Sequence, residues 1–93
     1  MANHRSAEKA ARQAERRRIR NKSMKSVVKT QIRKAERLIA AQQLDQADGA
    51  VLEAIRILDK ATQKGVLHSN NTARRKSRLM ARYSAAKVAA ATN

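Results

Sequence analysis

The sequence predicts an all-α fold, an antiparallel three-helix bundle whose long N-terminal helix projects beyond the core. Two observations favour helices. The first 40 residues contain neither Gly nor Pro, and apolar residues recur at steps of three and four in three separate segments. A third observation argues against strands, because no segment alternates apolar and polar residues and β-branched residues are sparse. Ninety-three residues predict a single domain, 1–93, with a modest core.

The first predicted helix covers residues 6–40. Ser6 is its expected N-cap, and Glu8 in the first turn suits the helix dipole. The second half carries one apolar stripe, formed by Met24, Val28, Ile32, Ala35 and Ile39. The same face of the first half offers only Ala7, Ala10 and Ala14. Because three alanines bury little surface, we expect the segment from Ser6 to about Lys22 to overhang the bundle.

The second predicted helix covers residues 45–64 and follows a turn at 42–44. Asp45 is its expected N-cap, with Asp48 three residues on as the acid of a capping box. Its apolar positions recur with a helical period, at Ala47, Val51, Ala54, Ile55, Leu58 and Ala61. Gly65 is expected at the C′ position in the left-handed conformation, with Val66 packing back onto the last turn.

The third predicted helix covers residues 70–90, with Ser69 or Asn70 as its cap. Its expected inner face consists of Thr72, Leu79, Tyr83, Ala86 and Ala90. Because the turns are short, the three helices are expected to pack up-down-up. The two shorter helices can cover only the second half of the first, which again predicts an overhang.

The charge is strongly positive and unevenly distributed. The net charge of +15 comes from 22 Lys and Arg against 7 Asp and Glu. Residues 1–37 carry +10, residues 38–67 carry −1, and residues 68–93 carry +6 without an acid. This balance predicts a polyanionic partner, either nucleic acid or an anionic membrane surface. The nearly neutral second helix is expected to point away from the anion and to support the other two.

Cations form stripes along the two basic helices, which turn by about 100° per residue. The first helix has one stripe of Arg5, Lys9, Arg12 and Arg16 and another of Arg18, Lys22, Lys25, Lys29, Arg33 and Arg37. The third helix has Arg74, Arg75, Arg78 and Arg82 along one flank. Like charges four residues apart repel and destabilise an isolated helix, so we expect the first helix to need a bound polyanion for stability. Its two basic flanks suggest a rod that lies between two phosphate backbones.

Several classes of protein are excluded by what the sequence lacks. There is no Cys, and no apolar run is long enough for a transmembrane helix or a signal peptide, so an intracellular protein is expected. Tyr83 is the only aromatic residue, so the stacking platforms of single-strand RNA readers are missing. His4 and His68 lack the spacing of metal ligands, and there is no nucleophile–base pair or Gly-rich phosphate loop. We therefore expect no enzymatic activity, cofactor, metal or small-molecule substrate.

Two stretches make the prediction more specific. Residues 20–30, RNKSMKSVVKT, and residues 64–79, KGVLHSNNTARRKSRL, closely resemble the bacterial small-subunit ribosomal protein numbered twenty. The opening residues 1–3 are similar too, and the resemblance covers nearly the whole chain. Two positions depart from the family. Thr72 stands where a small apolar residue is common, and the usual Gly-containing turn near Ala41 is missing.

The resemblance implies a structural constituent of the small ribosomal subunit that binds small-subunit (16S) rRNA directly and helps its assembly. It also implies other ribosomal components as partners, a place on the cytoplasmic ribosome and no enzymatic activity. We expect neither a membrane partner nor homo-oligomers. Carried over by position, the RNA-facing residues are Arg16, Arg17, Arg18, Arg20, Asn21, Lys22, Ser23, Lys25, Ser26, Lys29, Thr30, His68, Asn70, Arg74, Arg75, Lys76, Ser77 and Arg78. The cationic stripes add Arg12, Arg33 and Arg82.

Two other functions are compatible with the charge. A histone-like protein that binds and compacts DNA would use the same stripes, although the sequence has no wedge residue and no β-ribbon arm for the minor groove. A membrane-active basic helix usually brings Trp, Phe or Leu to the interface, and none of these lies in residues 1–37.

Overall fold

The described residues form three helices and no strand, which confirms the predicted fold class. The computed structural model describes the backbone of residues 2–92 and the side chains of residues 5–92. Helix α1 spans Ala2–Ala40, α2 spans Leu44–Gln63 and α3 spans Ser69–Thr92. The molecule is elongated, measuring 73 by 20 by 14 Å along its principal axes. Met1 and the side chain of His4, considered above, lie outside the described residues.

Contacts between the helices confirm the up-down-up arrangement. Ile39 packs with Ala47 near the first turn, whereas Val28 packs with Leu58 farther along, so α1 and α2 are antiparallel. The pairs Thr62–Thr72 and Asp48–Tyr83 show the same antiparallel order for α2 and α3. Helices α1 and α3 are consequently parallel neighbours. Within the described part of the chain, no helix combines the length and the apolar composition needed to cross a bilayer.

The start of α1 differs from the prediction. Ser6 is not an N-cap, because it lies inside a helix that begins at Ala2. No residue between them is a helix breaker, so the helix can begin before Ser6 without a capping side chain. Every residue from 5 to 20 is exposed, including Ala7, Ala10 and Ala14. The predicted overhang is therefore present, as a helix whose side chains are exposed.

The turn between α1 and α2 is a Schellman motif built without glycine. Gln42 takes the left-handed conformation with φ of 58°. The Gln43 N–H donates to the Leu38 carbonyl and the Gln42 N–H to the Ile39 carbonyl, both at 3.0 Å. The predicted Asp45 capping box is wrong. Gln43 occupies the N-cap position without a side-chain bond, and the Asp48 carboxylate is engaged with α3 instead.

The turn between α2 and α3 begins as predicted and ends differently. Gly65 has φ of 75°, and the Val66 N–H donates to the Ala61 carbonyl at 2.9 Å, which closes a second Schellman motif. The predicted caps Ser69 and Asn70 are wrong, because both lie within α3. Before them, His68 Nδ1 accepts a hydrogen bond from the Asn70 N–H at 3.1 Å. The imidazole thus satisfies one of the free amides of the first turn.

The core consists mainly of small side chains in two clusters. One cluster joins the three helices near the first turn and contains Ala35, Ile39, Ala47, Ala50, Val51, Ala54, Leu79 and Tyr83. The other contains Val28, Leu58 and Ala61, with Met24 and Val66 packed at its edge. The predicted core positions are buried except for Met24, Ile32, Ile55 and Ala86, which are half-buried, and Ala90, which is exposed. The shorter α2 does not extend far enough to cover Ala90.

Polar contacts tie α3 to α2. The hydroxyls of Thr62 and Thr72 hydrogen-bond to each other, which satisfies the one buried polar residue, Thr72, among the described side chains. The Tyr83 hydroxyl donates to Asp48 Oδ1 at 2.5 Å. Lys76 and Asp59 form an ion pair at 2.9 Å. The acids of α2 are therefore used to hold the basic α3 in place.

The first prediction concerns the non-glycine residue at the end of α1. A left-handed conformation costs a non-glycine residue about 1–2 kcal/mol. Replacing that residue with glycine removes this cost, but the greater entropy of glycine in the unfolded state offsets part of the stabilisation. Gln42→Gly should therefore raise the free energy of unfolding by about 0.5–1 kcal/mol, measured by urea denaturation with unchanged m-value. The neighbouring Gln43, with φ of −86°, provides the matched control. Equal effects of Gln42→Gly and Gln43→Gly would refute this explanation.

The second prediction concerns the titration of Tyr83. The pKa of the Tyr83 phenol is raised to about 12. The largest cause is the hydrogen bond to Asp48, followed by burial and by the negative charges of Asp48 and Asp45. The folded state therefore favours the neutral phenol. This contribution to stability is complete below about pH 10, the unfolded value, and is lost as the pH rises towards the folded pKa.

Tyr83 is the only aromatic residue, so tyrosinate absorbance follows this group alone. We expect a midpoint near pH 12 in the native protein and a midpoint of about 10 in denaturant. Asp48→Asn keeps an oxygen acceptor without the charge and should lower the native midpoint. Coincident native and denatured midpoints would show that the bond to Asp48 does not hold the phenol neutral.

Candidate nucleic-acid interface

One basic patch lies on α1 alone. Six side chains surround a shallow depression of about 420 Å³, namely Arg18, Asn21, Lys22, Lys25, Ser26 and Lys29. Their spacing of three and four residues places them on one face of the helix. The Thr30 hydroxyl donates to the Ser26 carbonyl at 2.9 Å, so only its oxygen is left to accept a bond from a ligand. This patch therefore offers mainly donors and positive charge, which suits phosphate oxygens.

A second basic surface is the groove between α1 and α3, which we call the α1/α3 groove. Its upper part, next to the turn between α2 and α3, has a volume of about 310 Å³. The polar residues that line it are Lys25, Lys29, His68, Asn71 and Arg75. Its lower part has a volume of about 290 Å³ and polar lining residues Glu36, Asn71, Arg74, Arg75, Arg78 and Arg82. The floor is aliphatic, with Val28, Ile32 and Leu79. The groove thus has cationic walls contributed by two helices.

Two side-chain contacts shape this groove. Arg75 Nε donates at 2.6 Å to Asn71 Oδ1, one turn earlier on α3, which fixes the guanidinium beside Asn71 and leaves its other donors available. Arg82 pairs with Glu36 at 2.7 Å, linking α3 to α1. That pair partly neutralises the lower end, so the positive potential is greatest where Arg74, Arg75 and Arg78 lie.

Sequence reasoning missed Asn71 and Lys64. Asn71 lines both parts of the α1/α3 groove, and it belongs to the stripe that continues through Arg75, Arg78 and Arg82 at steps of four, three and four. That spacing could have identified it. Lys64 lines a smaller cleft of about 340 Å³ with Arg17, Arg20 and Asn21. The cleft exists because the second Schellman turn returns the chain to α1, which no local pattern shows.

The structure does not bring all the predicted RNA-facing residues together. Arg16, Arg20 and Ser23 line a different groove, between α1 and α2. Lys76 faces α2, where it pairs with Asp59. The remaining predicted residues are exposed at the surface, namely Arg12, Arg33, Asn70 and Ser77. The predicted set therefore divides into an α1 patch, the α1/α3 groove and positions scattered around them.

No group of three His, Cys, Asp or Glu side chains within residues 5–92 is placed to hold a metal ion. What the described residues do present is positive charge on exposed helix faces, supported by an acidic α2. This arrangement defines the class of small, highly basic helical proteins that present cationic surfaces to a polyanion.

Comparison with known proteins identifies the family within that class. Residues 2–84 match the family described as Ribosomal protein S20. The chain therefore belongs to the ribosomal protein S20 family, as the resemblance of residues 20–30 and 64–79 indicated.

Individual relatives are similar over most of their length. The chain is 48% identical over 85 residues to small ribosomal subunit protein bS20 of Thermomicrobium roseum, covering 91% of this chain and 86% of that protein. It is 45% identical over 91 residues to the protein of the same name from Azotobacter vinelandii, covering 98% and 100%. It is 50% identical over 80 residues to that from Dehalococcoides mccartyi, covering 86% and 91%.

Proposed function

We propose that this protein is a structural constituent of the small ribosomal subunit that binds small-subunit (16S) rRNA directly and helps its assembly. Membership of the ribosomal protein S20 family supports the first part. The observation that carries direct binding is the α1/α3 groove, where cations from two helices converge on one surface. The protein acts on the cytoplasmic ribosome as a monomeric chain among other ribosomal components, without catalysis.

The binding is electrostatic in origin and structural in effect. Lys and Arg side chains neutralise phosphates, and the release of condensed counterions drives association. Because Tyr83 is buried, with 5% of its surface exposed, its ring is not available for base stacking. Recognition is therefore of RNA shape and backbone, with Asn21 and Asn71 adding polar contacts.

The protruding half of α1 gives the protein its role in assembly. The helix carries cations on more than one side and the side chains of residues 5–15 are exposed, so this segment can lie between RNA segments and screen their mutual repulsion. The α1/α3 groove holds a further segment. One short chain thereby brings several phosphate backbones together.

The triple variant Arg74→Ala, Arg75→Ala, Arg78→Ala tests the groove. Each lost phosphate contact removes about 0.7–0.9 from the slope of log Kobs against log salt, so the slope should become less steep by about 2–3. Filter binding to a 16S rRNA fragment across a salt series measures it.

The matched control removes Lys34, Arg56 and Lys60, three cations on the side of α1 and α2. Its slope should change much less. Equal slopes for both triple variants would contradict a specific groove. Equal affinity of the wild-type protein for duplex DNA would instead favour the histone-like alternative.

Arg16→Glu tests whether the overhang folds on RNA. Like charges at four-residue spacing oppose the isolated helix, and a Glu at 16 would attract both Arg12 and Arg20. We assign the helical overhang of α1 to the bound state, so the far-UV circular dichroism of the free wild-type protein should gain helix when 16S rRNA is added. The variant should be more helical when free and should bind more weakly. A wild-type spectrum that does not change on binding would contradict coupled folding.

A further inference from the structure

A groove on the other side of α1 differs in character from the basic surfaces. We call it the α1/α2 groove, and with about 890 Å³ it exceeds each basic depression described above. Its floor and walls are aliphatic, with Ile19, Met24, Val27 and Ile57. Ile19 is 58% exposed and Val27 is 43% exposed. These two are unusual, because large aliphatic side chains on this cationic helix are otherwise turned towards the core.

The rim of the α1/α2 groove is cationic. Arg16 and Arg20 extend from α1, and Arg56 and Lys60 extend from α2. Arg56 is already bonded to Glu53 at 2.8 Å, so the attraction for an anion comes mainly from the other three. An apolar floor with positive edges is complementary to a ligand with an apolar ridge and negative flanks.

The groove faces away from the cations of the α1 patch. Val27 lies two residues from both Lys25 and Lys29, which places it about 160° around the helix from each. RNA held by the α1/α3 groove would therefore leave Ile19, Val27 and Ile57 uncovered. A phosphate backbone is also a poor partner for aliphatic carbon, and the groove has no aromatic ring on which a base could stack.

We propose that the α1/α2 groove docks an acidic amphipathic helix of a partner protein. Leu, Ile, Val or Met side chains at positions i, i+4 and i+7 of that helix lie against Ile19, Val27 and Ile57. Asp and Glu on its flanks meet Arg16, Arg20 and Lys60. Since the site lies opposite the α1/α3 groove, the helix binds while rRNA is held elsewhere. Because Arg16 and Arg20 are also among the predicted RNA-facing residues, the test measures peptide binding and rRNA binding on the same proteins.

The test uses two labelled synthetic peptides and the full chain. One is a 14-residue helix of Glu and Ala, a length of about four turns, with Leu along one face. The other has the same composition with its Leu residues distributed around the helix. Fluorescence anisotropy at about 0.15 M salt, where exposed charges are screened beyond roughly 8 Å, measures both affinities. We expect the amphipathic peptide to bind about tenfold more tightly, because only it buries its Leu residues together.

Two double variants locate the binding. Ile19→Gln with Val27→Gln removes the apolar wall and should weaken amphipathic-peptide binding at least about fivefold, as expected for loss of buried aliphatic area. Leu52→Gln with Val88→Gln is the matched control, since these side chains are 65% and 64% exposed and lie outside the groove. Circular dichroism verifies that both variants keep their helix content.

Three outcomes would overturn the proposal: equal binding of the two peptides, equal losses in the two double variants, or displacement of the peptide by 16S rRNA. The last result, together with weakened rRNA binding by Ile19→Gln with Val27→Gln, would identify RNA as the occupant. Affinity for rRNA is measured on the same proteins without peptide. Failure of the wild-type protein to bind rRNA would therefore contradict the proposed function, whereas the peptide measurements would still test the docking site.

Discussion

The structure depends on where the apolar stripe of α1 ends. Val28, Ile32, Ala35 and Ile39 bury against α2 and α3, while Met24 marks the edge of the packed region. N-terminal to it, the apolar residues of the same face are only alanines, which offer too little apolar surface to attract another element. The bundle therefore ends at about this level, although the helix continues to Ala2. A single sequence boundary thus creates both a small folded core and a long exposed cationic arm.

Acidic residues on α1 and α2 offset the positive charge of α3 and hold it in the bundle. Helix α3 carries five cations in residues 74–82 and no acid, so it would be repelled by α1 if charges alone decided. Glu36 of α1 and Asp48 and Asp59 of α2 contact α3 through Arg82, Tyr83 and Lys76. The exposed ion pairs among these are individually weak. Their effect is to fix which face of α3 turns inwards, so that the remaining arginines line the α1/α3 groove.

The two faces of α1 serve different chemistries because they meet different helices. Towards α3 the wall is Lys and Arg on both sides, a composition that suits the phosphate backbone we propose for it. Towards α2 the wall is aliphatic with a cationic edge. In a protein of 93 residues, an exposed aliphatic surface carries a cost in solubility. This cost is the reason for assigning the surface a partner.

Local pattern was sufficient for most of the fold. The spacing of Ala47, Val51, Ala54 and Leu58 predicts a buried face, and all four side chains are buried. Gly65 was predictable because only a residue without a side chain takes the left-handed conformation at little cost. The same rule failed at Gln42, a residue that tolerates this conformation only because two Schellman hydrogen bonds and the packing of both helices impose it.

Capping was the least predictable feature, since several polar residues near each helix end are equally plausible donors or acceptors. Ser6, Asp45 and Ser69 all have suitable side chains, but Asp48 is drawn to Tyr83 and His68 supplies the cap of α3. These caps were decided by one hydrogen bond between residues 35 apart in sequence and by the position of one imidazole. A sequence pattern has no access to either.

The amino-acid sequence by itself determined the number of helices, the length of the apolar stripe on α1 and the location of positive charge, because each depends on residues three or four apart. Only the tertiary structure decided which cations share a groove. Arg20 and Lys25 belong to one predicted set, yet they open towards α2 and α3 respectively. The physical reason is that side chains extend from all sides of a helix. The packing of α2 and α3 against α1 determines which of them line each groove.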